Sequence, residues 1–131
     1  MAEAEKQTLR KAERLNSRIL IERLFSGGGK SFPAFPLRIV YMPIEGDNLP
    51  VASILISVPK KRFKRAVKRN RVKRQIREAY RKYRHILTDT LTTSGKKAII
   101  AFIWLDNDLH SSNEIDAKIK KLLTLTAEHL S

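Results

Sequence analysis

The sequence predicts an α/β fold, in which helices cover one mixed β-sheet as a two-layer α+β sandwich. Apolar runs of strand length alternate along the chain with amphipathic segments of helical period. Hydrophobic residues make up 42% of the 131 residues, which is enough to fill one core. We therefore expect a single domain over residues 1–131, with residues 1 to about 12 as a mobile polar lead-in.

The first predicted element is a short helix that starts near Asn16. The side chain of Asn16, or that of the following serine, can accept the free backbone N–H groups of the first turn. Gly27 can end the helix in the left-handed conformation. Ile21, Leu24 and Phe25 lie on one face, which predicts that this face packs against the rest of the fold.

Two or three strands are predicted next. The β-rich run FPLRIVYM is bounded by Pro36 and Pro43, and the turn sequence EGDN separates it from Val51–Val58. We expect these two runs to pair as an antiparallel hairpin. The nearly continuous apolar character of Val51–Val58 predicts a buried central strand.

The second half of the chain predicts a long helix, a strand and a final helix. A basic amphipathic segment forms the long helix from about Ala66 to His85, and TDTLTTSGKK follows as a loop. KAIIAFIWL is a buried strand, and Ser111 begins the last helix with Glu114 at the capping-box spacing. The apolar stripe of this helix consists of Ile115, Ile119, Leu122, Leu123 and Leu130. Strand Val51–Val58, the basic helix and the following strand form a βαβ unit, whose crossover is right-handed by default.

The charge of the chain is concentrated in one segment. The formal net charge is +14, and residues 60–84 carry 14 Lys and Arg against a single acid, Glu78. This segment is therefore +13, which leaves +1 for the rest of the chain. Such an imbalance predicts one docking surface for a polyanion. An anionic membrane surface is the other option, although no apolar stretch is long enough to span a bilayer.

The basic helix divides by angle into two sides at about 100° per residue. The apolar stripe, which predicts packing against the core, consists of Val72, Ile76, Ala79, Tyr80, Tyr83 and Leu87. Another side carries a row, hereafter the arginine row, of Asn70, Arg74, Arg77 and Arg81. Arg71 and Lys82 flank the row. Arg69 lies close to the apolar stripe, where its stem can pack on the core edge while its head stays in water.

The arginine row favours a nucleic-acid partner. Like charges four residues apart repel by about 0.2–0.5 kcal/mol each, and a phosphate backbone removes this repulsion and releases counterions. Arginine suits bidentate phosphate contacts, and Asn70 can bond a base edge or a 2′-hydroxyl. A solvated face without a partner and a nuclear-type localisation patch are the alternatives.

The stretch SVPKKRFKRAVKRNRVKRQIREAYR resembles the signature of the bacterial ribonuclease P protein component. The similarity includes the Ser-Val-x-Lys-Lys entry, the Ala-Val pair, the Arg-Asn-Arg core, the Lys-Arg step and the Ile-Arg-Glu-Ala helix end. Weaker similarity in LIERLFSGG, PLRIVY and the last strand and helix extends over most of residues 9–125. The resemblance implies a small α/β sandwich with a left-handed βαβ crossover, against the general rule.

The resemblance also implies two RNA-binding surfaces. The helix with the Arg-Asn-Arg core contacts the catalytic RNA subunit in this family, which here implies Arg69, Asn70, Arg71, Lys73, Arg74 and Arg77. A cleft between the first helix and the sheet holds the single-stranded 5′ leader of precursor tRNA, which here implies Ile21, Phe25, Tyr41 and Lys60 or Lys61.

The chain departs from the family pattern at two positions. Ile21 stands where the family often has an aromatic residue, which weakens base stacking. Pro59 replaces a frequent small polar residue and removes a backbone donor. For Phe25 and Tyr41, core packing is the alternative to leader binding, because a short helix must bury part of its surface.

Other motifs do not indicate catalysis by the protein. SGGGKS at residues 26–31 lacks the first glycine of a phosphate-binding loop and follows a helix, so it predicts a helix stop and a flexible turn. No metal-ligand spacing connects His85, His110 and His129. Asp106 and Asp108 could contact hydrated Mg²⁺, but we expect a loop and cap role. The chain has no cysteine, and no Ser-His-Asp set or carboxylate cluster can be assembled.

The resemblance therefore implies a subunit that assists a catalytic RNA in endonucleolytic removal of the 5′ leader from precursor tRNA. Magnesium is expected to be bound mainly by the RNA subunit and the substrate. We expect these two RNAs as partners, with no membrane and no obligate protein partner. The N-terminus MAEAEKQTLRK lacks an apolar signal core, which favours the cytoplasm. Two other classes stay open: a ribosome-associated or structural RNA-binding protein, and a self-sufficient nuclease.

Overall fold

The computed structural model describes residues 18–46 and 49–131. The elements are, in chain order, α1 (Arg18–Arg23), a π-helical turn (Leu24–Gly28), β1 (Lys30–Ala34), β2 (Leu37–Ile44), β3 (Ala52–Ser57), α2 (Ala66–Ser94), β4 (Lys97–Trp104) and α3 (Ser112–Leu130). The predicted lead-in and the predicted helix start near Asn16 lie outside the described residues. The predicted α/β sandwich with a mixed sheet is confirmed.

The four strands form one sheet in the order β1-β2-β4-β3. Strand β2 pairs antiparallel with both β1 and β4, whereas β3 pairs parallel with β4. The predicted hairpin between β2 and β3 is wrong, because the short strand β1 forms the tight hairpin with β2 and β4 occupies the other edge of β2. The predicted βαβ unit of β3, α2 and β4 is confirmed by the parallel pairing, while the hand of its crossover stays a prediction.

Strand β3 lies at the edge of the sheet, so the prediction that it is a central strand is wrong. Its apolar run reflects the burial of both of its faces and not the presence of two neighbouring strands. The described part of the protein has two hydrophobic clusters, one on each side of the sheet. Ala52 and Ile54 pack into the larger cluster, whereas Leu55 packs against the smaller cluster on the opposite side. The central strands are β2 and β4.

The sheet separates two hydrophobic clusters. The larger cluster fills the space between the sheet and helices α2 and α3. The smaller cluster, beneath α1, consists of Leu24, Met42, Ile99 and Ala101. Strand β2 alternates between the clusters, since Ile39 and Tyr41 face the larger one and Val40 faces the smaller one. The sheet is thus largely covered on the side of α2 and α3 and partly covered on the α1 side.

Helix α2 continues to Ser94, well beyond the predicted end at His85. Leu87 and Leu91 are fully buried and continue the apolar stripe at a spacing of four residues. The helix ends at Gly95, whose φ of 69° is left-handed and whose N–H donates to the carbonyl oxygen of Leu91. The predicted loop is therefore wrong up to Ser94, because packing of the stripe outweighs the low helix propensity of the threonines.

The predicted start of α3 and the predicted end of the first helix are confirmed. The Ser111 hydroxyl accepts a hydrogen bond from the Glu114 N–H at 3.2 Å, and all five predicted stripe residues of α3 are buried. Gly27 has a left-handed φ of 101°, and Ser26 before it also has non-helical backbone angles, so the helical geometry stops within the Leu24–Gly28 turn. A Cβ at Gly28 would lie 2.6 Å from the carbonyl oxygen of Arg23, so the close approach of the chain there requires glycine. SGGGKS is thus a helix stop and turn, and its last two residues begin β1. In the part of the chain that the structure describes, no helix is long and apolar enough to cross a membrane.

Candidate nucleic-acid interface

Helix α2 presents the arginine row on the side away from the core. Asn70 and Arg74 are exposed, and Arg77 and Arg81 are half-buried. The packed side of the helix holds six buried residues, among them Val72. The division predicted from the helical period is confirmed. A helix of 29 residues therefore supports the row over several turns.

Two acidic residues form ion pairs with the C-terminal part of the basic surface of α2. Glu78 pairs with Arg81 at 2.9 Å, and Asp116 of α3 pairs with Lys82. The hydrogen bond from Lys82 to Asp116 raises the pKa of Lys82 above its usual value. Among residues 18–46 and 49–131, no ion pair engages Arg71, Lys73, Arg74 or Arg77. The N-terminal half of the helix thus carries positive charge that the described part of the protein does not compensate.

Arg69 stands apart from the row. It is half-buried, and its Nη1 donates to the carbonyl oxygen of Phe63 at 2.7 Å and to that of Lys64 at 2.9 Å. Both bonds tie the segment before α2 to the first turns of the helix. These hydrogen bonds explain the position of Arg69 near the apolar stripe. Its contact with an RNA subunit stays a prediction.

Two of the predicted leader-binding residues lie on the α1 side of the sheet. Ile21 packs half-buried against the smaller cluster, and Phe25, in the π-helical turn, keeps 47% of its surface exposed. Lys60 and Lys61 are exposed at the centre of a turn, which the N–H of Arg62 closes by donating to the carbonyl oxygen of residue 59 at 3.0 Å. Phe25 and both lysines are therefore accessible to a ligand.

Tyr41 lies on the opposite side of the sheet. It is 2% exposed in the larger cluster, and its ring stacks on Phe32 with 5.6 Å between centroids. Burial raises the pKa of its hydroxyl above the usual value. The strand period explains the placement, because Tyr41 shares a face with Ile39, whereas Val40 faces α1. Core packing therefore accounts for Tyr41, and the half-buried Val40 and Leu55 are among the residues of the α1 side that the prediction missed.

A charged cluster lies just before and within the first turn of α3. His110 Nε2 is 2.6 Å from Asp106 Oδ2, and its Nδ1 is 3.0 Å from Glu114 Oε2. The hydrogen bonds to Asp106 and Glu114 raise the pKa of His110, and the same bonds lower the pKa of each carboxyl. Asp106 thus has the expected loop role, while Asp108 is exposed. Within the described ranges, no group of three or more His, Asp or Glu residues could hold a metal ion.

One known protein family matches most of this chain. The family model described as Ribonuclease P matches residues 9–126. A ribonuclease P protein component of Porphyromonas gingivalis is 44% identical over 115 residues, which cover 88% of this chain and 83% of that protein. A protein of the same name from Chlorobaculum tepidum is 36% identical over 112 residues, which cover 79% of this chain and 71% of that protein.

Solved structures share the fold at lower sequence identity. The RNase P protein of Staphylococcus aureus is 21% identical with a TM-score of 0.68, over 88% of this chain and 96% of that chain. The RNase P protein of Thermotoga maritima is 21% identical with a TM-score of 0.67, over 86% of this chain and 96% of that chain. The match over residues 9–126 and the 44% identity show that this chain belongs to the ribonuclease P protein family.

Proposed function

We propose that the arginine row binds the RNA subunit of ribonuclease P and that the chain assists removal of the 5′ leader from precursor tRNA. Membership of the family implies ribonuclease P activity as a subunit and partnership with the RNA subunit. The observation that carries the proposed surface is that Arg74 and Arg77 of the row, and Arg71 beside it, form no ion pair with any described residue.

The chemistry of the row fits an RNA backbone. Each phosphate contact neutralises repulsion between neighbouring guanidinium groups and releases counterions from the RNA. Arginine holds phosphate through two parallel hydrogen bonds, which fixes orientation as well as charge. Asn70 is exposed at the start of the row. Its amide can bond a 2′-hydroxyl or a base edge and adds one contact that depends on the RNA partner.

The leader of precursor tRNA is assigned to the α1 side of the sheet. Phe25 and the half-buried Ile21 and Val40 offer apolar surface to unpaired bases. The exposed turn with Lys60 and Lys61 offers cations to the phosphates of the same strand. Tyr41 is left out of this assignment because it is buried on the other face.

The chemical step is assigned to the RNA subunit with its magnesium ions. The described side chains do not fit a magnesium site, since Asp106 is held by His110 and by the N–H of Asn107 at 2.7 Å. The protein is left with two tasks in the cytoplasm. It brings two phosphate backbones together by screening their charge, and it positions the leader, so that less magnesium is needed for the same rate.

A reconstitution assay tests the proposal. Precursor tRNA is incubated with the protein, with the cognate RNA subunit, and with both, at low magnesium. We expect the mixture to cut at the mature 5′ end faster than the RNA alone, and the protein alone to leave the substrate intact. Cleavage by the protein alone would indicate a self-sufficient nuclease. Binding without faster cleavage would indicate a structural RNA-binding protein, and either result overturns the proposal.

A further inference from the structure

A groove opens between α2 and α3 beside the arginine row. Its volume is about 570 Å³, which lies within the range of roughly 300–1,000 Å³ that is typical of small-ligand sites. Residues that line it include Val67, Arg71, Arg74, Gln75, Glu78 and Ser112. The groove is distinct from the α1 side of the sheet, since its walls come from the helices that cover the opposite face.

The outer part of the groove combines cations with an exposed apolar side chain. Arg71 and Arg74 are exposed, and neither has an ion pair among the described residues. Val67, in the first turn of α2, is 79% exposed and contributes nothing to the core. An apolar side chain of this exposure next to two such guanidinium groups suits a ligand with both an apolar face and a phosphate.

The inner wall offers hydrogen-bond acceptors. Gln75 Nε2 donates to the carbonyl oxygen of His110 and to Ser112 Oγ, both at 3.1 Å, which fixes the orientation of the amide. The amide oxygen of Gln75 is buried and has no donor among the described residues. A buried acceptor without a donor costs roughly 1–3 kcal/mol. Glu78, whose side chain is 57% exposed, adds a carboxylate to the same groove.

We propose that this groove binds one unpaired nucleotide of the RNA partner. The phosphate lies at Arg71 and Arg74, the face of the base packs on Val67, and an exocyclic amine of the base donates to the acceptors of Gln75 and Glu78. Adenine, cytosine and guanine carry such an amine, whereas uracil does not. The inference rests on the proposed function, because it supplies that RNA-binding surface with a base-selective contact.

The test is an NMR titration of the full chain with AMP, CMP, GMP and UMP, with ribose 5-phosphate as the control without a base. We expect the three nucleotides with an amine to shift the amide signals of Val67, Gln75 and Ser112 at lower concentration than UMP. Ribose 5-phosphate should shift only the signals of the two arginines. Equal shifts from ribose 5-phosphate at the inner wall would overturn the inference, and so would equal affinities for UMP and the other nucleotides.

A pair of variants separates a groove contact from general charge repulsion. Val67→Glu places a carboxylate at the mouth of the groove, and a glutamate in the first turn of α2 is favourable to the helix dipole. Thr92→Glu adds the same charge at an exposed position of α2, roughly 37 Å away along the helix at 1.5 Å per residue. Val67→Glu should weaken nucleotide binding about tenfold, and Thr92→Glu should not. Equal effects of the two variants would contradict the groove.

Binding of the RNA subunit is measured in parallel with both variants. A wild-type chain that binds the RNA subunit but shows no nucleotide-dependent shifts at the inner wall overturns this inference alone. A wild-type chain that does not bind the RNA subunit overturns the proposed function, whatever the nucleotides do.

Discussion

Arg69 belongs to the Arg-Asn-Arg core, yet its guanidinium group contacts backbone carbonyl groups of its own chain. Arg69→Ala removes both hydrogen bonds from a charged donor, so we expect the free energy of unfolding to fall by about 1.5–3 kcal/mol. Urea unfolding measures the change. Lys68→Ala is the matched control, because it removes one positive charge from an exposed neighbour. Equal destabilisation by the two variants would contradict the anchoring role of Arg69.

His110 predicts a pH dependence of stability. The pKa of His110 is raised from 6.5 in the folded state. Its contribution to the free energy of unfolding is therefore fully present below pH 6.5 and is lost as the pH rises through the folded pKa. The pKa values of Asp106 and Glu114 are lowered from 3.8 and 4.5, so their contributions are present above these values and are lost as the pH falls. The cluster of His110, Asp106 and Glu114 therefore contributes most to the free energy of unfolding between pH 4.5 and 6.5.

Urea unfolding from pH 4 to pH 9 measures this dependence. His110→Gln keeps a hydrogen-bonding side chain but does not titrate, so the loss of stability above pH 6.5 should be smaller in this variant. A profile identical to that of the wild type would show that the His110 cluster does not set the pH dependence.

The two faces of β2 should differ in their effect on leader binding, because one packs into the core and the other faces α1. Tyr41→Phe removes a buried hydroxyl that has no hydrogen-bond partner among the described residues. Stability should be unchanged or higher by about 1 kcal/mol, and affinity for a single-stranded leader should not change.

Phe25→Ala, on the α1 side, should weaken leader binding with little change in the free energy of unfolding. Titration with a labelled leader oligonucleotide measures both affinities, and a weaker Tyr41→Phe complex would contradict the assignment of faces.

Elements with a strong local pattern could be predicted from the sequence. The capping box at Ser111 and the apolar stripes of α2 and α3 depend on residues within one helix, so their spacing alone locates them. Strand pairing depends on distant segments. Strand β4 pairs between β2 and β3, which leaves β3 at one edge of the sheet and leaves the other side of β2 to pair with β1. No local sequence pattern predicts these pairings. The extension of α2 to Ser94 likewise depends on packing of Leu91 against the core.

The candidate site divides in the same way. The arginine row could be predicted because its four positions follow from one helical period. The resemblance assigned Tyr41 to the leader cleft, although the alternation of β2 would have assigned it to the core with Ile39. Arg69 contacts backbone carbonyl groups of the segment before α2, and the groove at Gln75 is formed with the start of α3. The helical spacing of α2 alone therefore predicts neither feature.

For the whole molecule, the central feature is a net charge of +14 of which one segment supplies nearly all. Glu78 and Asp116 neutralise part of the surface at Arg81 and Lys82, which leaves the N-terminal half of α2 as the most positive region of the basic helix. A molecule with this distribution should approach RNA with one orientation. Its affinity should fall steeply with salt, because counterion release supplies much of the binding free energy.

The most direct test is the salt dependence of binding to the cognate RNA subunit, measured for the wild type and for the double variant Arg74→Ala/Arg77→Ala. The slope of log K against log salt should become shallower by roughly 0.7–0.9 for each phosphate group that the variant no longer neutralises. Lys118→Ala/Lys121→Ala on α3 removes the same charge elsewhere and should leave the slope nearly unchanged. A slope that is unchanged in the arginine variant, or reduced equally in both, would contradict docking through the arginine row.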